Sequence, residues 1–306
     1  MRTKNIILIL LLSHFCFMSV AKPHPLWKDK GRIVLSSDGN EHDWDDWAAS
    51  AMTLAIIASQ GLQDNVTLYT YSDHIWGSNQ ERDDIKGMCA YNHMRESVLG
   101  GAKYFGYNKT RFICAVDNAE VAYNAMRDEI NKSSADNPLY ILAAGPMQVV
   151  GEGMNRAEKD KLQYVTVISH SNWNNNHSDK PDSSYGKYSK VGWDNHSGWI
   201  WDEMIAEFGE GKQNAQFIKI KDQNHGWGKY IALQCERKHF DWLKTSKKKK
   251  EYLDGSWEWL YTRLESCAMK NETIFDVSDT GLVCYLLSGD EEVSPQMMQE
   301  FMENKK

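Results

Sequence analysis

Arg32-Ile33-Val34-Leu35-Ser36-Ser37-Asp38-Gly39-Asn40-Glu41-His42-Asp43-Trp44-Asp45-Asp46 runs from an apolar, β-branched segment into nine residues that carry four aspartates and a glutamate. Two unit charges ~4 Å apart repel by ~4 kcal/mol at an intermediate effective dielectric, so an acidic run this dense either spreads into solvent or holds a cation. Its setting favours the cation. Ile33 to Leu35 reads as a buried strand, and Trp47-Ala48-Ala49-Ser50-Ala51-Met52-Thr53-Leu54-Ala55-Ile56-Ile57 as a helix packed on it, ended near Gly61. The acidic run therefore lies between a strand and a helix, where open α/β sheets place their ligands.

Outward from this point, strand and helix alternate. Val66 to Tyr71, Phe112 to Val116, Leu139 to Ala143, Tyr164 to Ile168 and Gln216 to Ile220 have strand composition. Asn79 to Tyr104 reads as one or two helices and Ala119 to Lys132 as another; a further helix resumes at Met147. Ser256 to Ala268, Gly281 to Leu287 and Ser294 to Asn304 make the end of the chain mainly helical. The alternation predicts an α/β fold, an open, mostly parallel Rossmann-like sheet with helices on both faces. Asp38 to Asp46, Ala144-Gly145-Pro146 and His170-Ser171-Asn172-Trp173-Asn174 each follow a predicted strand, so a parallel sheet brings all three to one edge. Asp279 stands where the helix Leu282 to Leu287 begins; alone, it reads as an N-cap.

Met1 to Ala21 has the form of a secretory signal peptide: Arg2 and Lys4, the apolar run Ile6 to Leu12, and the small-residue site Ser19-Val20-Ala21. The apolar run is too short for a membrane span, and no later stretch reaches the required length. A secreted or periplasmic protein is expected, with about 285 residues, 22–306, as a single α/β domain. Cys89, Cys114, Cys235, Cys267 and Cys284 show no CxxC spacing and define no zinc or disulfide framework, although an oxidising compartment leaves one or two bridges open. A net charge of −7 argues against a nucleic-acid polymer as partner, because phosphate backbones call for a basic footprint. Twelve tryptophans, several in polar surroundings, suit the stacking walls of a sugar or base site.

Three motifs resemble those of the nucleoside hydrolase superfamily. Asp38 to Asp46 is similar to its aspartate signature, D-x-D-x-x-x-D-D, and closer to the D-I-G-N-D-P-D-D form of a divergent, often secreted, bacterial branch. Leu142-Ala143-Ala144-Gly145-Pro146-Met147 resembles the family's T-G-P-L-T-N segment. Ser278-Asp279-Thr280-Gly281-Leu282-Val283-Cys284-Tyr285-Leu286-Leu287 resembles its late H-D-P-x-A-V-A-Y-L-L segment. The resemblance implies a Rossmann-like fold and one Ca²⁺ that positions a water against the anomeric carbon of a ribosyl group. By motif it implies Asp38, Asp46 and Asp279 as carboxylate ligands, the Ala144 carbonyl as another, Asp45 against sugar hydroxyls and Asp38 as proton acceptor. The polar segment from Ser169 to about Ser197 holds the place of the family's substrate-binding insert, with His170, Asn172, Trp173 and Asn174 as candidates for substrate contact.

Two departures bear on chemistry. One residue more separates Asp38 from Asp45-Asp46 than in the family, so Asn40 shares candidacy with Asp38 for the ligand-and-base position and for substrate contact, and Asp43 stays open as a further ligand. Ser278 occupies the place of the histidine that assists the departing base, which leaves His170, His177, His196 and His225 as possible substitutes. The expected function is a secreted Ca²⁺-dependent hydrolase that cleaves an N- or O-glycosidic bond of a nucleoside or small saccharide. The alternative is a non-catalytic, secreted carbohydrate-binding protein that retains the metal site. The expected partner is a small sugar or nucleoside; a homo-oligomer is compatible with the sequence.

Overall fold

The computed structural model describes residues 24–39, 44–75, 85–178, 198–224, 232–249, 251–268 and 273–304, with the side chains of 85–89 left aside. The signal-peptide assignment, the Asn40 and Asp43 assignments, His196 and His225, and the greater part of the polar segment fall outside these residues. In chain order the strands are β1 (Arg32–Ser37), β2 (Val66–Tyr71), β3 (Arg111–Cys114), β4 (Leu139–Ala144), β5 (Val165–Ser169), β6 (Gln216–Lys219), β7 (Gln234–Glu236) and β8 (Ile274–Asp276). The helices are α1 (Trp44–Ser59), α2 (Ile85–Tyr104), α3 (Ala119–Asn131), α4 (Gln148–Arg156), α5 (Asn172–Asn176), α6 (Trp201–Phe208), α7 (Trp242–Thr245), α8 (Ser256–Ser266), α9 (Gly281–Ser288) and α10 (Pro295–Glu303).

β1 to β6 form one sheet in the order β3-β2-β1-β4-β5-β6, and every neighbouring pair is parallel. The expected open, Rossmann-like α/β sheet is therefore present, and its strand order reverses between β1 and β4. At such a reversal the connections leave in opposite directions and open a crevice beyond the strand ends.

Alternation along the strands feeds two cores. Ile33 and Leu35 of β1, Tyr69 and Tyr71 of β2, and Tyr140 and Leu142 of β4 enter one core with α1, α2, α8, α9 and α10. Val34, Leu68, Ile141 and Ala143 face the other way, onto α3, α4 and α6. Burial on both faces explains why the strands read as near-continuous apolar runs. α1 is buried from Asp46 to Ser59, as a helix enclosed by sheet and neighbouring helices must be.

Some elements escape the sequence reading. β7 and β8 pair antiparallel over three residues each, too short for a period to register. α6 carries Trp201, Met204 and Phe208 on its buried face at helical spacing, but it is short and follows the polar segment directly, which hides its period. α5 lies inside that segment. The cysteines described with side chains, Cys114, Cys235, Cys267 and Cys284, are buried and free. No helix among the described residues is long and apolar enough to cross a membrane.

At the far end of the sheet, Arg32 opens β1 inside a buried polar knot. Its Nη1 donates to Glu129 Oε2 at 2.6 Å and to the Glu129 carbonyl at 2.8 Å, and Nη2 donates to Ser133 Oγ at 3.1 Å. Thr67 Oγ1 also donates to Glu129 Oε2, so β1, β2 and α3 share one carboxylate. Glu129→Ala strands the buried guanidinium; urea denaturation is expected to record a loss of ~3–5 kcal/mol. A loss under ~1 kcal/mol would mean that the knot contributes only a surface pair's worth.

Candidate functional site

Four aspartates meet at the strand reversal. Asp38 leaves β1 and is buried. The chain turns at Gly39, whose φ of +101° and contact with Met94 exclude a side chain. Across the reversal Gly145 ends β4 so close that a Cβ there would lie 2.8 Å from the Asp38 amide and 2.7 Å from Asp73 Oδ1. A glycine is thus what allows β1, β2 and β4 to close around Asp38.

Asp45 and Asp46 occupy the first turn of α1, where the helix dipole favours negative charge. Asp279 sits in the turn Ser278–Thr280 just before α9. Thr280 locks that turn onto α1: its Oγ1 donates to the Ala49 carbonyl at 3.1 Å and lies 3.3 Å from Thr53 Oγ1. Asp45, Asp46 and Asp279 each present an oxygen within 4.8 Å of the others.

Together with Asp38, these residues line a pocket of about 170 Å³ whose wall continues through His170, Ser171, Trp173, Asn174 and Asn224. The structure thus brings Asp45, His170, Trp173 and Asn174 together around this pocket. Asn172 is exposed, and its Oδ1 accepts from Lys219 Nζ at 2.8 Å, away from the pocket lining. Ala144 lies in register with Ser37 and borders a smaller adjoining cavity that shares Asp279 with the pocket. Ser171 and Asn224 were not singled out from sequence. Ser171 has a φ of +63° and caps α5 through its Oγ and the Trp173 amide, a strained turn that presents Trp173 and Asn174 to the pocket.

The electrostatics are those of a site built for positive charge. Burial raises the Asp46 carboxyl well above the usual carboxylate range, and Asp38, Asp279 and Asp45 raise it further, with Asp38 also sharing a hydrogen bond. Asp46 Oδ1 is buried and has no hydrogen-bond partner among the described residues, an orphaned acceptor inside an anionic cluster. A hard cation prefers six to eight oxygens, and the close carboxylates of Asp45, Asp46 and Asp279, with Asp38 on the same pocket, suit one.

His170 is buried beyond β5, with Nε2 2.6 Å from Asp279 Oδ1. Burial opposes its protonation, but the carboxylates of Asp222 and Asp279 beside the ring outweigh that and push its pKa up to about 9. Nδ1 faces both the Asp222 carboxylate at 3.7 Å and the Gln223 amide at 3.3 Å; the first suits the protonated ring, the second the neutral one. Either state keeps a proton on Nε2 for Asp279.

Behind the pocket, His177 stacks on Trp173 at 4.2 Å, and its Nε2 lies 2.6 Å from His74 Nε2. Burial pushes the His177 pKa down to about 4, so a neutral imidazole braces the indole. Ser278 is fully buried, and its Oγ lies 3.5 Å from Asp45 Oδ2, which makes it a support for Asp45.

No family model matches the chain. The chain is similar to Uncharacterized protein P22 of Formosa agariphila, at 26% identity over 282 residues that cover 90% of each protein. The similarity therefore extends over nearly the whole fold.

Because the folded state raises the Asp46 pKa, the metal-free protein keeps this group's full stability only below the unfolded carboxylate pKa and loses it as pH rises through the folded value. The melting temperature without metal is expected to fall over that range, and Asp46→Asn to flatten the fall and raise the pH 7 value by ~2–4 °C. Parallel pH profiles for the two proteins would contradict this.

Proposed function

We propose that the protein is a secreted, Ca²⁺-dependent hydrolase that cleaves an N- or O-glycosidic bond of a nucleoside or small saccharide. The observation that carries the reading is the convergence of Asp38, Asp45, Asp46 and Asp279 on one pocket, with Asp46 Oδ1 buried there without a hydrogen-bond partner among the described residues. The motif resemblance and the N-terminal sequence support the family type and the export.

Ca²⁺, when bound, offsets the carboxylate charge and acidifies a water molecule held in the pocket. Asp38, Asp46, Asp279 and the Ala144 carbonyl would hold it. Asp38 would accept the proton of the attacking water as the water oxygen bonds to the anomeric carbon. The glycosidic C–N or C–O bond breaks, its electrons leave with the departing atom, and solvent protonates the leaving group. The carboxylates around the anomeric carbon stabilise the positive charge that develops on the sugar ring. Asp45 accepts from sugar hydroxyls, Trp173 supplies a stacking face, and Asn174 and Asn224 offer amides to the remaining hydroxyls.

One observation favours a second reading. With Ser278 directed at Asp45, the place of the family's leaving-group acid holds no acid. A carbohydrate-binding protein that retains the metal site without turnover would have this arrangement.

The test is a panel of nucleosides and nitrophenyl glycosides, assayed for free base or reducing sugar, on protein stripped with chelator and on protein reloaded with calcium. Product release that stops on stripping and returns with calcium is expected, and Asp38→Ala should lower the rate by ~10²–10⁴. Calorimetric sugar binding with no product over days would support the second reading. Absence of calcium from protein purified in its presence would overturn both.

A further inference from the structure

The sequence reading gives His170 a place among the substrate contacts. We infer instead that His170 is a positioning residue: by donating from Nε2 to Asp279 Oδ1 it fixes the orientation of that carboxylate for the cation. The inference rests on the cation site proposed above.

The parts come from three separate elements. His170 follows β5, Asp279 precedes α9, and the ring's far side meets the segment after β6, where Asp222 and Gln223 lie. That segment is itself fixed. Gln223 Nε2 donates to the Lys221 carbonyl at 2.7 Å and to the Glu291 carbonyl at 2.9 Å. Lys221 Nζ reaches Glu292 at 2.7 Å, and Gly281 leaves the room that the Gln223 side chain fills, since a Cβ there would lie 2.5 Å from it. The imidazole is thus held on one side by a braced loop and is 1% exposed, so its orientation is set by packing and not by solvent.

A carboxylate turns freely about its own axis unless one oxygen is pinned. In the pocket, repulsion from Asp45 and Asp46 would rotate Asp279 away from the shared centre. The 2.6 Å bond from His170 opposes that rotation. Both ring states place a proton on Nε2, so the role is independent of the titration of His170. Partners one step removed from a metal ion orient its ligands, and their loss costs ~10–100-fold in metal affinity.

Calcium affinity by isothermal titration calorimetry on the full chain tests this, with the metal-free melting temperature recorded for each variant. His170→Ala is expected to weaken calcium binding by ~10–100-fold, and His170→Gln, whose amide can donate from the Nε2 position, to restore it to within ~3-fold of wild type. A residue that merely filled space would change the melting temperature and leave the calcium affinity of folded protein unchanged. If His170→Ala fails to fold, His170→Asn, which lacks a donor at the Nε2 position, takes its place in the comparison. Wild-type affinity in the Ala or Asn variant, or a Gln variant no better than Ala, would overturn the inference while leaving the cation site intact. A wild-type protein that binds no calcium would overturn the cation site and the inference with it.

Discussion

Mutual repulsion among buried carboxylates is the constraint around which this molecule is arranged. Asp38 and Asp46 are nearly inaccessible to solvent, Asp279 is little more exposed, and Asp45 lines the same pocket. Uncompensated, such a group of charges would destabilise the fold by several kcal/mol. The fold nevertheless brings the carboxylates together through β1, α1 and the turn before α9, which Thr280 ties to α1. The surrounding features act on the same point: the first turn of α1 directs its dipole there, Gly145 permits close approach, and His170 donates to Asp279.

The parallel sheet explains why these parts can be so distant in sequence. Asp45 and Ser278 are 233 residues apart yet adjacent in space. The β1–β4 reversal puts the ends of β1, β4 and β5 side by side, so one edge collects Asp38, Ala144-Gly145 and His170 to Asn174. Strand alternation divides the apolar residues between two cores. That leaves the polar residues at the strand ends to form the site.

Much of this was legible in the sequence, for identifiable reasons. β1, β2, β4 and β5 are buried on both faces and announce themselves as apolar runs. Asp38, Asp45, Asp46 and Asp279 were legible as candidates because each lies at a strand end or helix start. What stayed hidden depends on contacts between distant segments. Asp222 and Gln223 matter only because the segment after β6 folds against Glu291 and Gly281, and no local period encodes that. The Trp173–His177–His74 stack is similar: His74 follows β2, and only the sheet order carries it to the end of α5. Asn172, a polar residue inside a polar cluster, turns toward Lys219, a contact that no local pattern encodes.

The central claim is that these carboxylates share one cation. Crystals of the protein grown with Ca²⁺, measured for anomalous scattering, test it most directly. The account predicts a single anomalous peak among Asp38, Asp46, Asp279 and the Ala144 carbonyl, with oxygen distances of ~2.3–2.6 Å. An empty centre at saturating calcium, or a peak bound elsewhere with Asp279 turned away from Asp38, would contradict it.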